Sequence, residues 1–155
     1  MTDRRPAALV VLAAVGLAIS AWLAAFQLGL IDNVWDPVFG SASSVRVLTS
    51  PVSTALPVPD AVIGAAGYAL DVALGLVVVL SRRPVAILAL AVLTAMGAVV
   101  SIVLVVLQPL VAHAWCAPCL VSATIAIVLA AGAVAEARAT QDHPNLARTT
   151  EAIGS

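Results

Sequence analysis

Apolar residues run along this chain in four blocks, and polar residues gather between them. The blocks cover roughly residues 7–29, 61–80, 84–107 and 116–135. Each reaches the ~20 apolar residues that carry a helix across the hydrocarbon core of a bilayer. The pattern predicts an all-α integral membrane protein, a four-transmembrane-helix bundle with an outer loop cap. The first block, Ala7 to Phe26, is longer than the apolar region of a signal peptide, and more membrane-type sequence follows it. It is expected to stay as an anchored helix.

The polar stretches divide the chain further. Residues 1–6 form a short polar leader. Residues 31–60 form the largest segment between blocks, rich in Pro, Ser and Asp. Its prolines and Gly40 argue against a long regular element. Trp35, Phe39 and the run Val45 to Leu48 are apolar enough to lie against a membrane surface. The segment reads as a short amphipathic cap with one or two helical turns, the plainer alternative being an unstructured linker. Asp60 is placed to cap the second membrane helix. Gly64, Gly67 and Gly75 give that helix small faces for close packing. Pro84 suits a first helical turn, and the third helix is expected to end near Gln108-Pro109. Residues 1–136 then form the membrane domain and 137–155 a polar cytoplasmic tail, read as frayed or disordered.

Composition agrees with a lipid-embedded chain. Of 155 residues, 63% are hydrophobic and 10% charged, where soluble proteins carry about a quarter charged. The net charge of −1 leaves no basic footprint for nucleic acid. There is no lysine, and the arginines are unevenly placed. Arg4, Arg5, Arg82, Arg83, Arg138 and Arg148 fall on one side of the expected topology, and only Arg46 on the other. The side rich in arginine should be the cytoplasm. Both termini are therefore expected inside the cell membrane. The 31–60 loop and the start of the fourth helix are expected outside, where disulfides persist.

The chemistry concentrates at that outer edge. Cys116 and Cys119, the only two cysteines, stand as C-x-x-C at the start of the last apolar block. A helix N-terminus favours a thiolate, and two sulfurs at this spacing can close and reopen, passing two electrons. The alternative is a pair of inert thiols or a static disulfide. His113 precedes them at H-x-x-C-x-x-C spacing, yet structural zinc wants four ligands and no fourth His or Cys lies on this side. No metal is expected. His113 reads as a charge beside a thiol or as an interfacial residue, and His143 lies in the tail. Asp71 is the one acid well inside an apolar run. It is either a proton path or polar wall beside a bound quinone, or an acid bonded to Ser20, Thr94 or Ser101. Tyr68, one turn nearer the outer face, is either a hydrogen-bond donor to a quinone carbonyl or an interfacial tyrosine.

Several short motifs resemble the vitamin K epoxide reductase family in residue type and order. The last is Trp115-Cys116-Ala117-Pro118-Cys119-Leu120-Val121-Ser122, approached through Val100-Ser101 and Gln108-Pro109. Earlier come Gly16, Ser20 and Trp22-Leu23, then Trp35-Asp36-Pro37-Val38-Phe39-Gly40 and Leu48-Thr49-Ser50-Pro51-Val52-Ser53. Pro57-Val58-Pro59-Asp60 follows, running on to Gly64, Gly67 and Tyr68. The likeness covers roughly residues 10 to 133. It implies a four-helix bundle holding a quinone, ubiquinone or menaquinone, beside the C-x-x-C. Cys119 would face the quinone, and Cys116, the outermost and more exposed sulfur, would exchange with an external thiol or disulfide protein. Ser53 would lie near the quinone. Family members carry a second cysteine pair in the outer loop, and this chain has none there. The resemblance implies a membrane thiol:quinone oxidoreductase. The rival is a non-catalytic scaffold or maturation factor with a structural C-x-x-C.

Overall fold

The computed structural model describes the backbone of residues 4–55 and 57–153, with side chains between 5 and 141. The leader before Arg4 and the side chains of His143 and Arg148 lie outside the described residues. Five α-helices follow in order: α1 (Arg4–Gln27), α2 (Ser41–Leu48), α3 (Asp60–Ser81), α4 (Pro84–Leu107) and α5 (Ala117–Ile153). No strand occurs among the described residues. Four helices are long and apolar enough to cross a membrane, over Arg5–Gln27, Asp60–Ser81, Pro84–Ala112 and Ala117–Gln141.

The four long helices close into a ring, α1 on α3, α3 on α4, α4 on α5 and α5 back on α1. Small residues let them approach. A methyl group on Gly16 of α1 would fall on the ring of Tyr68 in α3, and one on Gly132 of α5 would meet Leu9 of α1. Gly16→Ala is therefore expected to cost about 1–3 kcal/mol by overpacking. Thermal unfolding in detergent checks it, and Gly67→Ala, where nothing lies within 4 Å, serves as the control. Two layers fill the bundle. Ala13, Tyr68, Ile125, Ala126 and Leu129 form the middle one, and Val78, Ile87, Leu90, Ala91 and Ala133 the one farther from the cap. Large apolar side chains also point outwards, Leu80, Val85 and Met96 among them. That is the arrangement of helices whose solvent is lipid.

Local chemistry explains the helix ends. α1 ends at Gln27, and Gly29 just beyond it is left-handed at φ 72°. α3 ends on Arg82 in the same region (φ 45°), and Pro84 opens α4. Asp60 is the first residue of α3 rather than its cap, and from there its carboxylate accepts the N–H of Ala61 (2.8 Å). α4 ends at Leu107, at the expected Gln108-Pro109 boundary. Proline lacks the N–H that would continue the α-helical ladder, and the chain widens into one π-helical turn, Gln108–Ala112. His113 then closes it with φ 48°. The tail departs from expectation, since α5 continues as helix through Ile153. Alanine, arginine and glutamate there are good helix formers, and an existing helix needs no new nucleus to extend.

The 31–60 loop carries the expected helical turns as α2. Gly40 precedes it at φ 84°. Ser44, Val47 and Leu48 are its buried face, and Arg46 stays exposed. Val34 and Leu48 pack on Leu23 of α1, while Val47 packs on Ala112, Ala114 and Cys116. The cap therefore sits directly over the start of α5.

Candidate functional site

Cys116 and Cys119 are joined as a disulfide at the first turn of α5. Cys116 occupies the position before the first helical residue, and its sulfur accepts the N–H of Cys119 at 3.2 Å. A serine or aspartate oxygen takes this place at an ordinary helix start. The helix thus offers an N–H to the Cys116 sulfur, as its spacing suggests.

The two sulfurs face different surroundings. Cys116 has 0% of its surface exposed. This corrects the expectation that it would be the more accessible sulfur. Its position at the helix start does put it outermost along α5, but the cap covers it. Cys119 is partly buried and lines a cavity of about 110 Å³ at the cap end of the bundle. An engineered protein cavity of about 150 Å³ holds benzene, so the space is on the order of one aromatic ring.

The cap is clipped onto the cysteine turn at three points. Asp36 is the first, 5% exposed. Its Oδ2 accepts the Ser44 hydroxyl at 2.6 Å and the Ala117 N–H at 3.0 Å. Its Oδ1 accepts the N–H groups of Val38 and Phe39, both at 2.9 Å. Ser43 is the second, its hydroxyl donating to the Trp115 carbonyl (2.6 Å) and accepting the Trp115 N–H (3.1 Å). Phe39 stacked on Trp115 is the third, with centroids 6.3 Å apart. From the other side, Gln108 accepts the Cys116 N–H through Oε1 at 3.1 Å.

Burial alone raises the Asp36 pKa, but the bonds from Ser44, Phe39, Ala117 and Val38 outweigh it. Together they hold the carboxyl at about 2, below the ordinary 3.8. The folded cap thus favours the ionised form. Its contribution is present in full above about pH 4 and is lost as pH falls through about 2. Trp115 fluorescence should be flat between neutral pH and about 4, then change as acid releases the cap. In Asp36→Asn this titration should vanish.

The other residues singled out from sequence are placed as follows. Ser53 and Tyr68 line the cavity with Cys119. Ser53 donates to the Val47 carbonyl (3.1 Å) and to Asp60 Oδ2 (3.0 Å). The Tyr68 hydroxyl donates to the Ser122 carbonyl at 2.5 Å, and Ser122 Oγ lies 3.2 Å from Ser20 Oγ. Asp71 is not brought to this cavity. It lines a separate void of about 10 Å³ with Leu9, Thr94 and Leu129, farther from the cap. Its Oδ1 is buried without a hydrogen-bond partner, so none of Ser20, Thr94 or Ser101 satisfies it. Thr94 gives its hydroxyl to the carbonyls of its own helix at Leu90 and Ala91 instead. His113 is exposed at the end of the π turn, outside the cavity wall.

Three side chains of the site do not stand out in the sequence alone. At Asp36, Asp-Pro ahead of a glycine is a turn signal whose carboxylate commonly takes backbone N–H groups. Gln27 joins α1 to the cap and to α3, donating to the Leu48 carbonyl (3.0 Å) and Asp60 Oδ1 (2.7 Å). Gln108 holds Cys116. An amide at the end of an apolar run is the signal that could have marked both.

Fold and site define a multi-pass membrane protein with a dithiol pair over a cavity between its helices. The chain belongs to the vitamin K epoxide reductase family, whose model matches residues 7–134. Membership points to an oxidoreductase. No curated protein and no solved structure matched the chain.

Proposed function

We propose that this protein is a membrane thiol:quinone oxidoreductase. One observation carries the reading: Cys119 lines a mostly apolar cavity while its bonded partner, Cys116, lies under the cap. Pockets for small ligands have this character, apolar walls with a few placed polar groups. Cys119 and the wall around Tyr68 and Ser53 suit a quinone ring, which accepts two electrons and two protons. Asp71, in its separate void, makes no contact with it.

The cycle begins with the disulfide. A thiolate of an external dithiol protein attacks the Cys116 sulfur, the S–S bond breaks, and Cys119 leaves as a thiolate. The partner's second thiol then attacks the mixed disulfide. It leaves as the partner's own disulfide and releases Cys116. The reduced pair gives two electrons and two protons to the quinone in the cavity and closes again. The missing loop cysteines make the partner's thiols the direct donors to Cys116, so the cap must lift on each turnover.

The scaffold reading rests on one observation, that Cys116 has no exposed surface. Purified protein given a reduced dithiol and a soluble quinone separates the two. Loss of quinone absorbance at a rate proportional to protein supports the oxidoreductase. No loss above the protein-free control supports the scaffold.

The proposed orientation puts the cap outside and both termini in the cytoplasm, following the arginine asymmetry. Single cysteines replacing Asp32 and Ser81, both exposed, test it by labelling intact cells with an impermeant maleimide. Asp32→Cys should label and Ser81→Cys should not. The reverse pattern would place the disulfide in a reducing compartment.

A further inference from the structure

We propose that Gln108 and Ser101 hold the two carbonyl oxygens of the quinone, a placement that rests on the oxidoreductase reading. Both line the cavity with Cys119, Ser101 from α4 and Gln108 from the π turn. Most polar groups on the other walls are already engaged. Tyr68 donates to Ser122, Ser53 donates to Val47 and Asp60, and Ser20 pairs with Ser122. Two groups, one on α4 and one on the π turn, keep free protons.

Gln108 is 5% exposed. The Cys116 N–H can bond only to an acceptor, so it fixes the amide with Oε1 towards Cys116. Nε2 then carries two N–H groups with no partner among the described residues. The Ser101 hydroxyl likewise has no partner among them. Amide donors left bare at a cavity wall are costly unless a ligand or water takes them.

Ser101 and Gln108 stand seven residues apart in the chain, Ser101 on α4 and Gln108 on the π turn that follows it. Both line the same cavity as Cys119, so two unpaired donors on one side of it can take the two carbonyl oxygens of one ring. Gln108 then has two roles, holding the Cys116 backbone through Oε1 and the quinone through Nε2. It is a positioning residue, linking acceptor binding to the cysteine turn.

The test measures ligand binding to the oxidised protein, without turnover. The probes are 2-methyl-1,4-naphthoquinone and 2-methylnaphthalene, which share a ring system and differ in the two oxygens. Gln108→Leu and Ser101→Ala should each weaken naphthoquinone binding by about threefold to tenfold, one hydrogen bond's share. Binding of methylnaphthalene should not change. Equal weakening of both ligands would reduce the two residues to wall packing and overturn the assignment. Unchanged binding of the quinone would overturn it too. If the wild type binds neither ligand, the quinone reading itself falls and takes this one with it. Ser101→Ala removes a single oxygen, so it keeps the test open should Gln108→Leu fail to fold.

Discussion

Cys119→Ser should reduce quinone turnover to the uncatalysed rate while the bundle stays folded. Serine keeps the size of the side chain but cannot form or break the S–S bond. The disulfide closes a very short loop, the kind that contributes least to stability, so loss of fold is not the expected cause. The stalled state should be visible. Given a partner variant with a single cysteine, supplied as its mixed disulfide with a small thiol, the Cys116 thiolate attacks the partner's sulfur and the small thiol leaves; no resolving thiol remains in either protein, so the shifted band persists on non-reducing gels. Cys116→Ser should be equally inactive yet trap little, because the remaining sulfur faces the cavity rather than the cap. Equal trapping by both variants would contradict this division of labour.

The second large effect concerns the cap. Asp36→Ala removes the acceptor of four hydrogen bonds, from Val38, Phe39, Ser44 and the Ala117 N–H. Bonds to a charged group contribute about 1.5–3 kcal/mol each, and water replaces part of that once the cap lifts. A net loss of about 3 kcal/mol is expected, which is about a hundredfold in the closed-to-open ratio. In a Cys119→Ser background, where Cys116 is the only sulfur left on the cysteine turn, maleimide labelling should accelerate by about that factor. Asp32→Ala, a change at an exposed loop carboxylate, should label at the parent rate. If Asp36→Ala labels no faster, the cap is not what shields Cys116.

Sequence made the membrane bundle readable because spanning length and apolarity are local properties. Except at the far end of the fourth, the blocks lie within a few residues of the helices, and proline and glycine mark most of the ends. It read less well where a partner far along the chain decides the outcome. The 72 residues between Ser43 and Trp115 hide a reciprocal hydrogen-bonded pair, and Asp36 reaches across 81 to Ala117. Nothing in either local stretch announces the other. For that reason the covering of Cys116 cannot be seen along the chain. Asp71 is a related case. Helical phase places it one turn from Tyr68, but only packing shows that the turn falls below the cavity floor.

The central claim is that electrons pass from the cysteine pair to a quinone. A single-turnover experiment tests it most directly. Protein reduced with dithiol, freed of reductant and kept without oxygen, is mixed with one equivalent of naphthoquinone. Quinol absorbance and free thiols are followed together. The account predicts one quinol formed for each pair of thiols lost, with Cys116 and Cys119 recovered as the disulfide. Thiols that persist beside unreduced quinone would contradict it.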